Sequence, residues 1–114
     1  MSATAMRRSG GPKAELHELQ QKASEAARLL RLLGNENRLL LLCHLAVEGE
    51  VGVGALAEAL GLSQSALSQH LALLRDDGLV ATRRDAQAIF YRIADPKVAR
   101  VLDLLRELYC PPVR

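Results

Sequence analysis

Apolar residues along this chain repeat at helical spacing, then at strand spacing, then at helical spacing again. Leu16, Leu19, Ala23, Ala26, Leu30 and Leu33 recur every three or four positions, with Glu18, Lys22 and Glu25 on the opposite side. This predicts a long helix that Gly34 stops. Asn35 suits the N-cap of a second helix, Glu36 to about Val47. Its runs Leu39–Cys43 and Leu45–Val47 are apolar almost all round, so deep burial is expected there, Cys43 included. Glu50–Val53 alternates weakly, as a short strand would, and Gly54–Leu60 is a short helix closed by Gly61. Ser63 then caps a helix whose Ala66, Leu67, His70, Leu71, Leu73 and Leu74 fill one half of the wheel. Gln64, Ser65, Ser68, Gln69, Ala72 and Arg75 fill the other half, and the helix ends at Asp76–Gly78. Leu79–Arg84 and Ala88–Ile93 are rich in β-branched and aromatic residues and flank Asp85-Ala86-Gln87, predicting a hairpin with a three-residue loop. A last helix opens at Asp95-Pro96, carries Val98, Val101, Leu102, Leu105, Leu108 and Tyr109 as its stripe, and stops at Pro111-Pro112.

Helix, glycine-centred turn and helix, followed by a hairpin, is the winged helix-turn-helix order. The expected fold is mainly α with a small β-hairpin. The first and last helices carry apolar stripes that a small core does not exhaust. They suggest a dimer interface, with a monomer that wraps both on its own core as the alternative. Residues 1–12 read as a disordered leader, 13–110 as the domain and 111–114 as a tail.

Composition narrows this picture only a little. Of the 114 residues, three are aromatic, so aliphatic packing must dominate, and a net charge of +2 permits nucleic-acid binding without demanding it. No apolar run approaches the ~20 residues that span a bilayer, and the N-terminus lacks a signal-peptide core. A cytoplasmic protein without membrane contact is expected.

The outward half of the helix after Ser63 is unusual in carrying amides and hydroxyls instead of a Glu/Lys mix. Gln64, Ser65, Ser68 and Gln69 suit base edges in a major groove, because glutamine pairs bidentately with adenine and serine serves several bases. Arg83, Arg84 and Gln87 on the hairpin are the matching candidates for phosphates or a minor groove. The plainer alternative pairs the two arginines with Asp76, Asp77 and Asp85. His70 lies in the apolar half, where a packed, hydrogen-bonded imidazole outweighs a ligand. His17 and His44 stand alone on their helices, so no metal site is expected. Cys43 and Cys110 are far apart in sequence and could be inert; burial in its apolar run should raise the pKa of Cys43. With no C-x-x-C, no Ser/His/Asp set and no phosphate-cradling loop, neither an enzyme nor a cofactor is indicated.

Three segments carry a resemblance: L-G-N-E-N-R-L-L-L-L-C at 33–43, L-S-Q-S-A-L-S-Q-H-L-A-L-L-R-D-D-G-L-V at 62–80 and I-F-Y-R-I at 89–93. Over roughly residues 15–110 the chain resembles the ArsR-type winged-helix regulators. That resemblance implies a homodimeric repressor, joined through its first and last helices, that binds double-stranded operator DNA and answers to an inducer. Metal sensors of the family often carry C-V-C where this chain has Val51-Gly52-Val53-Gly54. Its last helix also lacks a histidine partner for Asp103 and Glu107. Cys43 and Cys110, with R-E-L-Y-C at 106–110, look instead like the dithiol subgroup typified by HlyU, BigR and SqrR. The resemblance therefore implies redox sensing of reactive sulfur species or oxidants by the pair Cys43 and Cys110. The rival expectations are a metal or metalloid inducer held by Cys43, Cys110 and His17, and a winged-helix module that faces another protein.

Overall fold

The structure, a computed structural model, describes residues 11–110. Among these, the order is α1 (Gly11–Leu33), α2 (Glu36–Glu48), β1 (Val51–Gly52), α3 (Val53–Leu60), α4 (Gln64–Asp76), β2 (Val80–Asp85), β3 (Ala88–Ile93) and α5 (Pro96–Tyr109). The first helix thus starts at Gly11, inside the leader expected over 1–12, because proline is well accepted in a first turn where its missing N–H costs nothing. The rest of that leader and the tail at 111–114 lie outside the described residues.

The chain divides at Gly34 into two units, α1 and the remainder. On α1, Leu33 is buried, whereas Leu16, Leu19 and Leu30 of the predicted stripe are exposed. The second unit holds the winged helix-turn-helix. Its helix starts are set by side chains that satisfy orphan backbone donors. Asn35 Oδ1 accepts from the Arg38 amide at 3.1 Å, Ser63 Oγ from the Ala66 amide at 3.1 Å, and Asp95 Oδ1 from the Lys97 amide at 2.9 Å. Gly61 ends α3 with φ 68°, in the left-handed region that glycine enters freely, and the Leu62 amide donates back to the Ala57 carbonyl. This turn sets α4 against α3.

Leu41, Leu42 and Leu45 of α2, Leu56 of α3, Leu67, Leu71 and Leu74 of α4, and Val98 and Leu102 of α5 form the core with Leu79, Val80 and Tyr91. Each fully buried aliphatic side chain contributes about 1.5–3 kcal/mol. That exceeds the few tenths by which helix propensities of most residues differ, so packing decides which way each helix is turned. The predicted deep burial of α2 holds for one face only. Leu40, Cys43 and Val47, spaced three and four apart, form a second apolar face that is exposed, Val47 to 73 %.

The sheet is antiparallel in the order β1-β3-β2, with Val51 opposite Tyr91 and Thr82 opposite Tyr91 on the other side. Asp85 pairs with Ala88, so the hairpin loop is Ala86-Gln87, two residues and not three. Ala86 has φ 57°. Tight two-residue hairpin turns need a positive φ to match strand twist, and here alanine adopts it in place of the usual Gly or Asn.

Candidate nucleic-acid interface and thiol groove

The two halves of α4 separate as the periodicity predicts, with one exception. Leu67, Leu71 and Leu74 are buried and Ala66 and His70 half-buried, but Leu73 is about half exposed. Gln64, Ser65, Ser68 and Gln69 are exposed together on the first two turns. Because Ser63 caps this end, the four side chains are held on ordered backbone instead of a frayed terminus.

His70 packs as expected, yet its Nδ1 is buried without a hydrogen-bond partner. The hydrogen bond assumed for a packed histidine is therefore missing at this nitrogen. Burial, reinforced by the nearby positive charge of Arg38, lowers the pKa of the imidazole.

Arg83, Arg84 and Gln87 are all exposed on the wing, but their surroundings differ. Arg83 pairs with neither Asp76 nor Asp77. Its Nε lies 3.1–3.2 Å and one terminal nitrogen 2.8 Å from the carboxylate of Glu50, with Asp85 at 3.8 Å. The guanidinium also sits 4.9 Å above the Phe90 ring, its cross-strand neighbour. The hydrogen bonds from Arg83 hold the Glu50 carboxyl below its usual range, and Glu50 in turn raises Arg83. Glu50 is the functional neighbour that sequence reading misses. It stands 33 positions away, and the pairing exists only because β1 adds to the far side of β3.

The two thiols share one groove. Cys43 on α2 and Cys110, the C-cap residue of α5, are both free and exposed, and both line one cavity of about 600 Å³. Leu39, Ala46, Val47, Leu102, Leu105 and Tyr109 make its walls almost wholly apolar, with Asp103 and Arg106 at the edge. Although the Cys43 residue is solvent-accessible, partial burial of its thiol pushes its pKa up. The neighbouring Cys110 adds to this and Arg106 opposes it. Arg106 is itself paired with Asp103. His17 is exposed on α1, and among the described residues no three His, Cys, Asp or Glu side chains gather as a metal site. No described helix is long and apolar enough to cross a membrane.

Residues 35–82, which include α2, the helix-turn-helix and the start of the wing, match the family described as bacterial regulatory protein, arsR family. The transcriptional activator HlyU of Vibrio cholerae is 47 % identical over 100 residues, which cover 88 % of this chain and 92 % of that protein. The biofilm growth-associated repressor of Xylella fastidiosa is 40 % identical over 105 residues, covering 92 % of this chain and 91 % of its own length. Among solved structures, reduced HlyU from Vibrio cholerae superposes with a TM-score of 0.77 at 48 % identity, covering 82 % of this chain and 97 % of that one.

Proposed function

We propose, from the premise that this chain belongs to the arsR family of bacterial regulatory proteins and is a DNA-binding transcription regulator and not an enzyme, that Cys43 and Cys110 set its affinity for operator DNA. One observation carries the reading: thiols 67 positions apart in sequence line the same apolar groove between α2 and α5. The co-reactant is a reactive sulfur species or an oxidant. With an organic persulfide the balanced step takes both thiols and R–S–SH to a Cys43–Cys110 disulfide, R–SH and H₂S. Both protein sulfurs are oxidised and the persulfide sulfur is reduced. With a peroxide, the disulfide forms together with alcohol and water.

Two copies associate through α1 and α5, whose exposed Leu16, Leu19, Leu30, Leu104 and Leu108 otherwise face water. Gln64, Ser65, Ser68 and Gln69 of each copy read base edges in one half-site of an inverted repeat, about one DNA turn from the other. Arg84 and Gln87 contact the flanking backbone, and Arg83, the third wing position, is already engaged by Glu50. Bridging Cys43 to Cys110 ties α2 to the dimerisation helix and changes the spacing of the two reading helices, lowering affinity and releasing the DNA. As a soluble regulator of this kind, it works in the cytoplasm.

The test treats the reduced protein with an organic persulfide and follows intact mass and affinity for an operator duplex, alongside Cys43→Ser and Cys110→Ser. A loss of two hydrogens or a gain of sulfur, with weaker binding only in the wild type, is expected. Unchanged mass and affinity would refute the switch.

A further inference from the structure

Arg83 reaches across the wing in an unusual direction. It stands on β2, one of the two edge strands, on the same face as Ala81 and Asp85, while Val80, Thr82 and Arg84 face the other way. From there its guanidinium crosses over Phe90 on the central strand and closes on Glu50, the residue just before β1. Three strands are thus spanned by one side chain. A carboxylate gripped by Nε and a terminal nitrogen uses the same fork of donors that a phosphate would use. Arg84, the next residue, has no ion pair among the described residues. One of the two adjacent wing arginines is therefore spoken for, and one is open.

We propose that Glu50 withholds Arg83 from DNA and so acts as a built-in damper on operator affinity. The inference rests on the wing being part of the DNA-binding surface, as proposed above. Glu50 and Asp85 flank Arg83, so its positive charge is offset by two carboxylates, and a phosphate approaching this face meets little net attraction. The pair is also water-accessible, with side-chain exposures of 48 % for Arg83 and 33 % for Glu50. It is not locked in a core, and removing the carboxylate leaves the guanidinium on its Phe90 platform.

The counterion term of DNA binding makes this measurable. Each phosphate neutralised adds about 0.9 to the slope of log K against log salt. The experiment uses the full-length reduced protein and a duplex that the wild type has selected from a random-sequence pool, titrated by fluorescence anisotropy across a potassium chloride series. Glu50→Gln should bind more tightly at low salt, with a slope steeper by about 1.8, one phosphate for the wing of each copy in the proposed dimer. Arg83→Ala should leave the wild-type slope unchanged, and Glu50→Gln with Arg83→Ala should return the slope to the wild-type value. An unchanged slope or weaker binding in Glu50→Gln overturns the damper. A flatter slope in Arg83→Ala alone overturns it as well, because Arg83 would then already hold a phosphate. Arg84→Ala separates the two levels of the argument: if it flattens the slope, the wing reading stands whatever Glu50 does. If it leaves slope and affinity untouched, the wing reading itself fails. Circular dichroism melts of each variant show whether the wing remains folded.

Discussion

Two alanine substitutions on α4, Leu67→Ala and Gln69→Ala, separate the holding face of the helix from the face proposed to read bases. Leu67 is completely buried, so truncation removes three carbons from the core. At about 0.8 kcal/mol per buried methylene, the transfer loss is about 2.4 kcal/mol. The space left behind adds about 24 cal/mol per Å³ of residual cavity, bringing the cost to roughly 3–4 kcal/mol. Against a total stability of the order of 5–15 kcal/mol, that is a large fraction. Gln69 is exposed, so its truncation should move stability by no more than about 0.5 kcal/mol. Its affinity for the selected duplex should instead fall by about 1–3 kcal/mol for the bidentate base contact in each half-site, roughly 5- to 150-fold for each of the two. Urea melts followed by circular dichroism, at one fixed protein concentration because the proposed dimerisation would make stability depend on it, give the first quantity. Anisotropy at a temperature where both variants are folded gives the second. Should Leu67→Ala cost less than about 1 kcal/mol, or Gln69→Ala bind as the wild type does, the assignment of the two faces is wrong.

Further expectations follow from single contacts. Ala86→Gly should stabilise the wing by up to about 1 kcal/mol, since alanine is strained at φ 57°, and chemical denaturation will show it. Asp95→Ala removes the cap of α5 and should cost about 1 kcal/mol in the same assay. Because the pKa of His70 is lowered in the folded state, the unfolded chain binds the proton more readily. Stability is then complete above the ordinary histidine value of about 6.5 and declines as pH falls from there toward the folded pKa. A pH series of urea midpoints should show this decline, and His70→Gln should flatten it. Alkylation of Cys43 by iodoacetamide should rise with pH through a midpoint above the ordinary thiol range, and Arg106→Ala should move that midpoint higher still.

What the sequence revealed depended on whether a local rule had a local cause. Asn35 and Ser63 were legible as caps because capping joins residues three apart, whereas Asp95, which also caps its helix, was read only as the place where the last helix opens. The exposed polar face of α4 was legible for the same reason, since helical spacing places Gln64, Ser65, Ser68 and Gln69 together. The hairpin loop came out one residue too long because Asp85 looks like a turn residue and yet pairs with Ala88. Cys43 was misjudged in another way. A helix apolar all round does not say who covers its second face, and here the chain's own core takes Leu41, Leu42 and Leu45 and leaves Leu40, Cys43 and Val47 open. The sharing of one groove by Cys43 and Cys110, and the meeting of Arg83 with Glu50, depend on long-range packing that periodicity does not encode.

The shortness of β1 has a mechanical consequence. The helix bearing Cys43 ends at Glu48, Gly49 turns the chain with φ 87°, and two residues later Val51 is already bonded into the sheet opposite Tyr91. There is no slack between the two. Any twist or slide imposed on α2 is transmitted through three residues to the central strand of the wing, with Glu50 lying on that link. Chemistry at the thiol groove therefore has a stiff coupling rod to the hairpin, separate from the route proposed through a dimer, and amide exchange along β3 is where its movement would register.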